Sequence, residues 1–450
     1  MPGRRATAKG STAVVSPVGT GRHHPNALPQ VWATLGPDLP ERGFMSAPLP
    51  AAAPSPRPGV ASAARVPSID AFRGFVMFLM LAEVMRLWTL HDAFPSSAFW
   101  AAVAFNTTHV PWQGCSLHDL IQPAFSFLAG ASLPFSIASR RAKGQSFRAM
   151  LGHAVRRSLI LVFLGIFLRS LSHSQTYWTF EDTLTQIGLG YTFLFLLAFA
   201  SLRVQAGVFV AILVGFWAAF VIYPLPPSTF DYAAVGVPAG WPHLYSGFLA
   251  HFNMNSNLSW AFDTWFLNLF PRESPFRFND GGWSTLSFIP TLATMMLGTW
   301  SGAWLKSSRT AGEKLKGLVV AGVALTFAGL LLQWLHVCPI VKRIWTSAYT
   351  LYSGGLILLV LAGLYAVIDI RGWRRWSFPL IVIGANSIAI YVMSWILEHP
   401  VSEALVRHLG EGPFLLLGPP FEPVLRGIAV LLVFWSILYW MYRRKVFIKI

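Results

Sequence analysis

The stretch from Asn106 to Pro123 gathers side chains able to do chemistry: His109, Asp119 and Gln122, with Trp112 among them. Imidazole titrates near neutrality, so His109 can take a proton as a general base or carry an acyl group. A carboxylate such as Asp119 beside it would fix the imidazole tautomer and stabilise its protonated form. Asp119, Gln122, Ser126 and Gly130 keep helical spacing, which lines them up as one polar, small-residue stripe. The same stripe also suits helix packing. His109, Cys115 and His118 match no strong zinc spacing, so no metal is expected. The chain has no serine nucleophile elbow, P-loop or dinucleotide fingerprint.

More charges stand in or near apolar runs. Asp70 and Arg73 are three residues apart, as are Glu83 and Arg86. An ionised side chain at a membrane-helix centre costs about 2.5–3.5 kcal/mol. A first span carrying four of them is therefore partly interfacial or lines a polar cavity. Arg73, near the start, suits either an ion pair with Asp70 or the phosphates of a nucleotide-bearing donor. Glu83 lies deeper and is the candidate for a reaction chamber. Gln186 and Asn386 are polar groups in later apolar runs, able to meet a substrate or a neighbouring helix.

The elements that must hold these groups are membrane helices. Of 450 residues 54% are hydrophobic and 12% charged, against about a quarter charged in soluble domains. Mean hydropathy is +0.53. Windows of about 19 residues predict an all-α bundle of about ten transmembrane helices. They lie near 70–90, 117–138, 152–172, 184–201, 206–224, 285–305, 316–336, 347–368, 377–397 and 424–442. Residues 1–67, rich in Ala, Pro, Arg, Gly and Ser, read as a disordered cytoplasmic tail, with Met1 and Met45 both candidate starts. Residues 68–450 read as the membrane domain.

The formal charge of +16 is read as basic cytoplasmic loops, not nucleic-acid binding. With the tail inside, Arg140, Arg141, Lys143, Lys306, Lys314, Arg371, Arg374, Arg443 and Arg444 all fall inside. Lys342-Arg343 is the clear exception. This orientation puts both termini in the cytoplasm and His109 on the outer side of a cell (inner) membrane. A long outer loop, about 225–284, carries Trp241, Trp260, Trp265 and Trp283 with Asn253, Asn255, Asn257 and Asp263. Such residues suit a sugar acceptor, by stacking and hydrogen bonding, and equally an interfacial aromatic belt. Two cysteines, Cys115 and Cys338, exclude a disulfide framework.

Several blocks, in order, carry a resemblance. Ser68-Ile-Asp-Ala-Phe-Arg-Gly74, His109-Val-Pro-Trp-Gln-Gly114, Asp119-Leu-Ile-Gln-Pro123 and Gln186-Ile-Gly-Leu-Gly-Tyr191 come first, then Lys342-Arg-Ile-Trp-Thr-Ser347 and the stretch from Ile368 to Asn386 and Tyr391. Together they make the chain similar to the heparan-α-glucosaminide N-acetyltransferase family of transmembrane acyltransferases, its bacterial members above all. The resemblance implies acetyl transfer from cytoplasmic acetyl-CoA, as co-substrate, to an amine or hydroxyl of a sugar or glycan on the outer side. It also suggests a homodimer.

On that reading the family's catalytic histidine falls on His109, with Asp119 orienting it and Glu83 assisting. Arg73, Gln186 and Asn386 are the candidates for holding the donor. The family's catalytic asparagine falls at or beside Glu83-Val84, where this chain has none. Either Glu83 takes over as polar partner, or the chemistry is altered or lost. The competing class is a transporter or flippase for an envelope glycan or lipid precursor, with the intramembrane charges as its path.

Overall fold

The computed structural model describes residues 66–448. The expected tail, up to residue 65, lies outside the described residues. Among these the chain is all-helical, with fourteen α-helices and no strand longer than a single bridge between Gln113 and Val341. The helices are α1 (Pro67–Leu81), α2 (Thr89–Ala93), α3 (Ala98–Thr107), α4 (Ile121–Ala142), α5 (Phe147–Ser170), α6 (Thr183–Leu197) and α7 (Leu202–Ile222). There follow α8 (Leu258–Phe266), α9 (Phe288–Lys306), α10 (Ala311–Trp334), α11 (Ser347–Leu364), α12 (Phe378–Ala385), α13 (Ser387–Leu409) and α14 (Glu422–Arg443).

A helix lies over each of the ten expected windows, yet the count of ten spans is not reproduced. Among the described residues six helices are long and apolar enough to cross a membrane, or up to seven if one bent pair is a single span. That pair, Arg375–Ala385 and Ser387–Leu409, turns through 70° at Asn386. The helices α7 and α10 bury little of themselves in the protein and expose Val210, Val214, Val320, Val323 and Phe327. Apolar side chains left uncovered along spanning-length helices are what a bilayer solvates. This is the architecture of a multi-pass membrane protein.

The first span departs most from expectation. Pro67 opens α1, and the Asp369 carboxylate accepts the backbone N–H of Ser68 at 3.0 Å. That satisfies one of the N–H groups a helix start leaves free. The α-helix then stops at Leu81 instead of running to residue 90. A 3-10 turn, Ala82–Met85, follows, and Arg86 adopts a left-handed backbone with φ 49°. Glu83 and Arg86 thus leave the apolar bundle instead of being carried through it. The turn packs against α14 at Gly427, where a Cβ would strike Val84 O and Met85 Cα.

The bundle centre is the pair α4 and α9. A Cβ on Gly130 of α4 would collide with the Met295 carbonyl, and one on Gly298 of α9 with that of Phe127. With no hydrophobic drive between helices in lipid, backbone proximity at small residues is what makes such pairs bind. The polar stripe read along α4 is therefore in part a packing seam. A second core joins the long α7–α9 connection to the bundle through Trp112, Phe220, Phe252, Trp345 and Tyr349.

Candidate active site

His109 is placed by two chain segments far apart in sequence. Gly114 N–H donates to the Ile340 carbonyl at 2.9 Å beside the Gln113–Val341 bridge. Gly114 has φ 112°, a conformation that favours glycine. Trp112 is fully buried and donates its indole N–H to Phe252 O at 3.1 Å. The Gly114–Ile340 bond and the Gln113–Val341 bridge zip the segment after α3 onto the segment before α11, and so bring His109 beside Lys342. Trp112 pins the same segment to the long α7–α9 connection.

The buried Asp119 is the hub. Its Oδ2 accepts from Val110 N (3.2 Å), Ser116 N (3.0 Å) and Ser116 Oγ (3.0 Å). Its Oδ1 lies 2.8 Å from His109 Nδ1 and 3.3 Å from Lys342 Nζ. The Tyr349 hydroxyl donates to the Asp119 carbonyl at 2.7 Å. Charge-assisted bonds of this kind are roughly twice as strong as neutral ones, so this carboxylate fixes both the loop and the ring. With Nδ1 committed, Nε2 is the His109 nitrogen left for a ligand. The ring keeps 37% of its side-chain surface exposed.

Around His109 stand His118, with ring centroids 4.4 Å apart, and Trp283, edge-on at 5.4 Å. Trp283 also faces the cations of Lys342 (5.1 Å) and Arg343 (5.3 Å). Arg343 donates to Gly281 O at 2.6 Å and Val110 O at 3.3 Å, tying the long connection to the His109 segment. Burial pushes His109 below the ordinary imidazole range. Its bond to Asp119 works against that push, while Lys342 and Arg343 add to it. A neutral ring with a free Nε2 can act as base or nucleophile.

His109 and Lys342 lie on the wall of a cavity of about 770 Å³, together with Glu83, His118 and Trp283. Gln122 and Phe125 of α4 and Arg169, Asp182, Tyr391 and Trp395 complete much of it. The lining is drawn from the C-terminal ends of α1 and α5 and the N-terminal ends of α4 and α6. For neighbouring helices that alternate in direction, these ends meet at one end of the bundle. The chamber is thus both aromatic and charged, as a site for a polar, ring-shaped ligand would be.

Of the residues expected at the site, Asp119 bonds to His109 directly. Glu83 reaches it through His118, whose Nε2 lies 3.9 Å from Glu83 Oε2. The three donor-site candidates are not on the cavity wall. Arg73 pairs with Asp70 (3.2 Å) and donates to Ser132 Oγ (2.9 Å). Gln186 gives its amide N–H groups to the carbonyls of Phe180, Ser284 and Thr285. Asn386 binds Val446 O and Ile448 N, each at 3.0 Å, fastening the C-terminal segment.

The asparagines of the long connection are likewise spent on its own backbone. Asn253 accepts from Tyr245 N, Asn255 donates to Val235 O and Asn279 O, and Asn257 caps α8. Trp283 is the tryptophan from that connection that reaches the cavity wall. Cys115 and Cys338 are both free thiols. The residue that sequence reasoning missed is Lys342, and its signal was present as the basic pair breaking the charge asymmetry of the loops.

No family model matches this chain. It is 22% identical over 433 residues to heparan-alpha-glucosaminide N-acetyltransferase of Mus musculus, covering 86% of this chain and 61% of that protein. It is 29% identical over 104 residues to the Homo sapiens protein of the same name, covering 23% of this chain and 14% of that one. The chain thus spans about three fifths of the length of the mouse relative.

Proposed function

We propose that this chain is a membrane acetyltransferase that moves an acetyl group from acetyl-CoA to an amine or hydroxyl of a sugar or glycan. The observation that carries the reading is the Asp119–His109 pair, 2.8 Å apart, set in the wall of a large cavity. The similarity to two proteins whose name specifies an N-acetyltransferase acting on a glucosaminide supports the same class.

In this reading Nε2 of His109 takes the proton from the acceptor as its nitrogen or oxygen attacks the thioester carbon. Alternatively Nε2 attacks first and hands the acetyl group on. In both routes the carbon–sulfur bond breaks, a carbon–nitrogen or carbon–oxygen bond forms, and the proton leaves with the thiol. Asp119 holds the ring and balances the imidazolium that forms transiently. The donor enters from the face where the basic loops lie, and the acceptor from the His109 side of a cell membrane. Arg73, Gln186 and Asn386 would act on the donor only through helix placement, since each is engaged with neighbours.

The test is transfer from labelled acetyl-CoA to amino sugars and envelope glycans in proteoliposomes, comparing wild type with His109→Ala. Label appearing on an acceptor in wild type and lost in the variant supports the reading. Transfer unaffected by His109→Ala overturns it. One feature favours a transporter instead, the 70° break between α12 and α13, since broken helices line many transport sites. Saturable glycan flux that persists in His109→Ala would decide for that class.

A further inference from the structure

We propose that Lys342 is a positioning residue for His109: its ammonium neutralises Asp119, so that the carboxylate can orient the imidazole without turning it into a cation. This rests on the reading of His109 as the proton-accepting or acyl-carrying group.

The geometry assigns the protons. A carboxylate only accepts hydrogen bonds and an ammonium only donates them. Both reach His109 Nδ1, Asp119 Oδ1 at 2.8 Å and Lys342 Nζ at 3.2 Å. Were Nδ1 a lone pair receiving the ammonium, it would face the carboxylate oxygen lone pairs at 2.8 Å. The arrangement that satisfies every group has Nδ1–H donating to Oδ1 and Lys342 donating to the same Oδ1 at 3.3 Å. The ammonium is then close to the ring without bonding to it. Nε2 carries the lone pair.

A carboxylate alone beside an imidazole favours its protonated form. Burial already disfavours the imidazolium, and here an opposite charge stands at nearly the same distance from Nδ1 and offsets part of the carboxylate's pull. The other charged groups facing His109 do not restore the balance. His118 lies against the ring, Arg343 sits across Trp283, and Glu83 stands behind His118, 3.9 Å from its Nε2, with its side chain 58% exposed. Lys342 itself is held in place, 3% exposed, between Asp119 and the face of Trp283. The base therefore stays free of protons in mildly acidic surroundings, where an ordinary Asp–His pair would be losing it.

The experiment is a histidine titration by NMR, with 13Cε1-labelled histidine in detergent micelles and the His109 signal assigned from His109→Gln. In wild type the midpoint should lie below the ordinary 6.5. In Lys342→Met it should rise by about one pH unit or more, a tenfold change in the protonation equilibrium. The acid limb of kcat/KM for acetyl transfer should move by the same amount. A midpoint that is unchanged or falls in the folded variant, checked by gel filtration, overturns the proposal. So does a wild-type midpoint at or above 6.5, which needs no variant at all. Should Lys342→Met not fold, Lys342→Gln takes its place. A shifted midpoint without acetyl transfer onto any acceptor would leave this inference standing and sink the acetyltransferase reading.

Discussion

Asp119 holds His109 with one carboxylate oxygen and the loop between them with the other. Oδ1 meets His109 Nδ1 at 2.8 Å, while Oδ2 gathers Val110 N, Ser116 N and Ser116 Oγ. Orientation of the ring and the fold of its loop therefore rest on one buried group.

Replacing it isosterically should separate charge from shape. In Asp119→Asn an amide must face donors on both sides. Its NH2 would meet either the His109 N–H and the Lys342 ammonium, or two backbone N–H groups beside the Ser116 hydroxyl, the one Oδ2 partner able to accept. Acetyl transfer should fall by about a hundredfold or more, the scale of general acid–base contributions. Thermal stability should drop as well. Steady-state kcat/KM and a melting curve on the same preparation check both.

Glu83→Gln should cost little. The Glu83 side chain is 58% exposed, and its carboxylate approaches His118 only to 3.9 Å. A pair that exposed is worth about 1 kcal/mol at most, so kcat/KM should fall less than about tenfold. A loss on the scale expected for Asp119→Asn would mean that Glu83 contacts the reacting atoms.

Asp263 supplies a pH dependence of stability. Burial pushes its carboxyl up to about 7, against a hydrogen bond from Thr285 N that works the other way. Its Oδ1 is buried without a partner. The folded form thus keeps a proton that the unfolded chain releases near pH 4. This contribution is fully present below that value, is lost as pH rises towards 7, and changes no further above it. Asp263→Asn should stabilise the protein at pH 8, by at most on the order of 4 kcal/mol, and change little at pH 4. Melting temperatures of the two proteins across that range give the difference directly.

Gly298→Val tests the centre of the bundle. Its Cβ would occupy the space of the Phe127 carbonyl and the Ala131 amide, both backbone atoms that cannot swing aside. Overpacking costs about 1–3 kcal/mol where side chains can adjust, and more is expected here. Loss of a monodisperse gel-filtration peak, with Gly312→Val as a control in open space, is the expected result.

What the sequence disclosed followed the range of the forces involved. Apolar runs located a helix over every expected window because hydropathy is local. They missed the stop at Leu81 because a 19-residue average passes smoothly over Glu83 and Arg86. The Asp119–His109 contact was legible because one short loop closes it. The His109–Lys342 contact joins residues 233 apart, and no spacing rule reaches that far. Gln186 and Asn386 stay open in the sequence between a substrate and a neighbouring helix, because their partners are backbone atoms of segments remote in sequence or outside the helices.

The zipper between the Gln113 and Val341 segments also sets an order of events at the ribosome. At about 5–20 residues per second, Asp119 waits tens of seconds before Lys342 is made. Until then its carboxylate has no ammonium to meet and favours water over the bundle interior. Closure of the site is therefore left to the late arrival of a distant part of the chain.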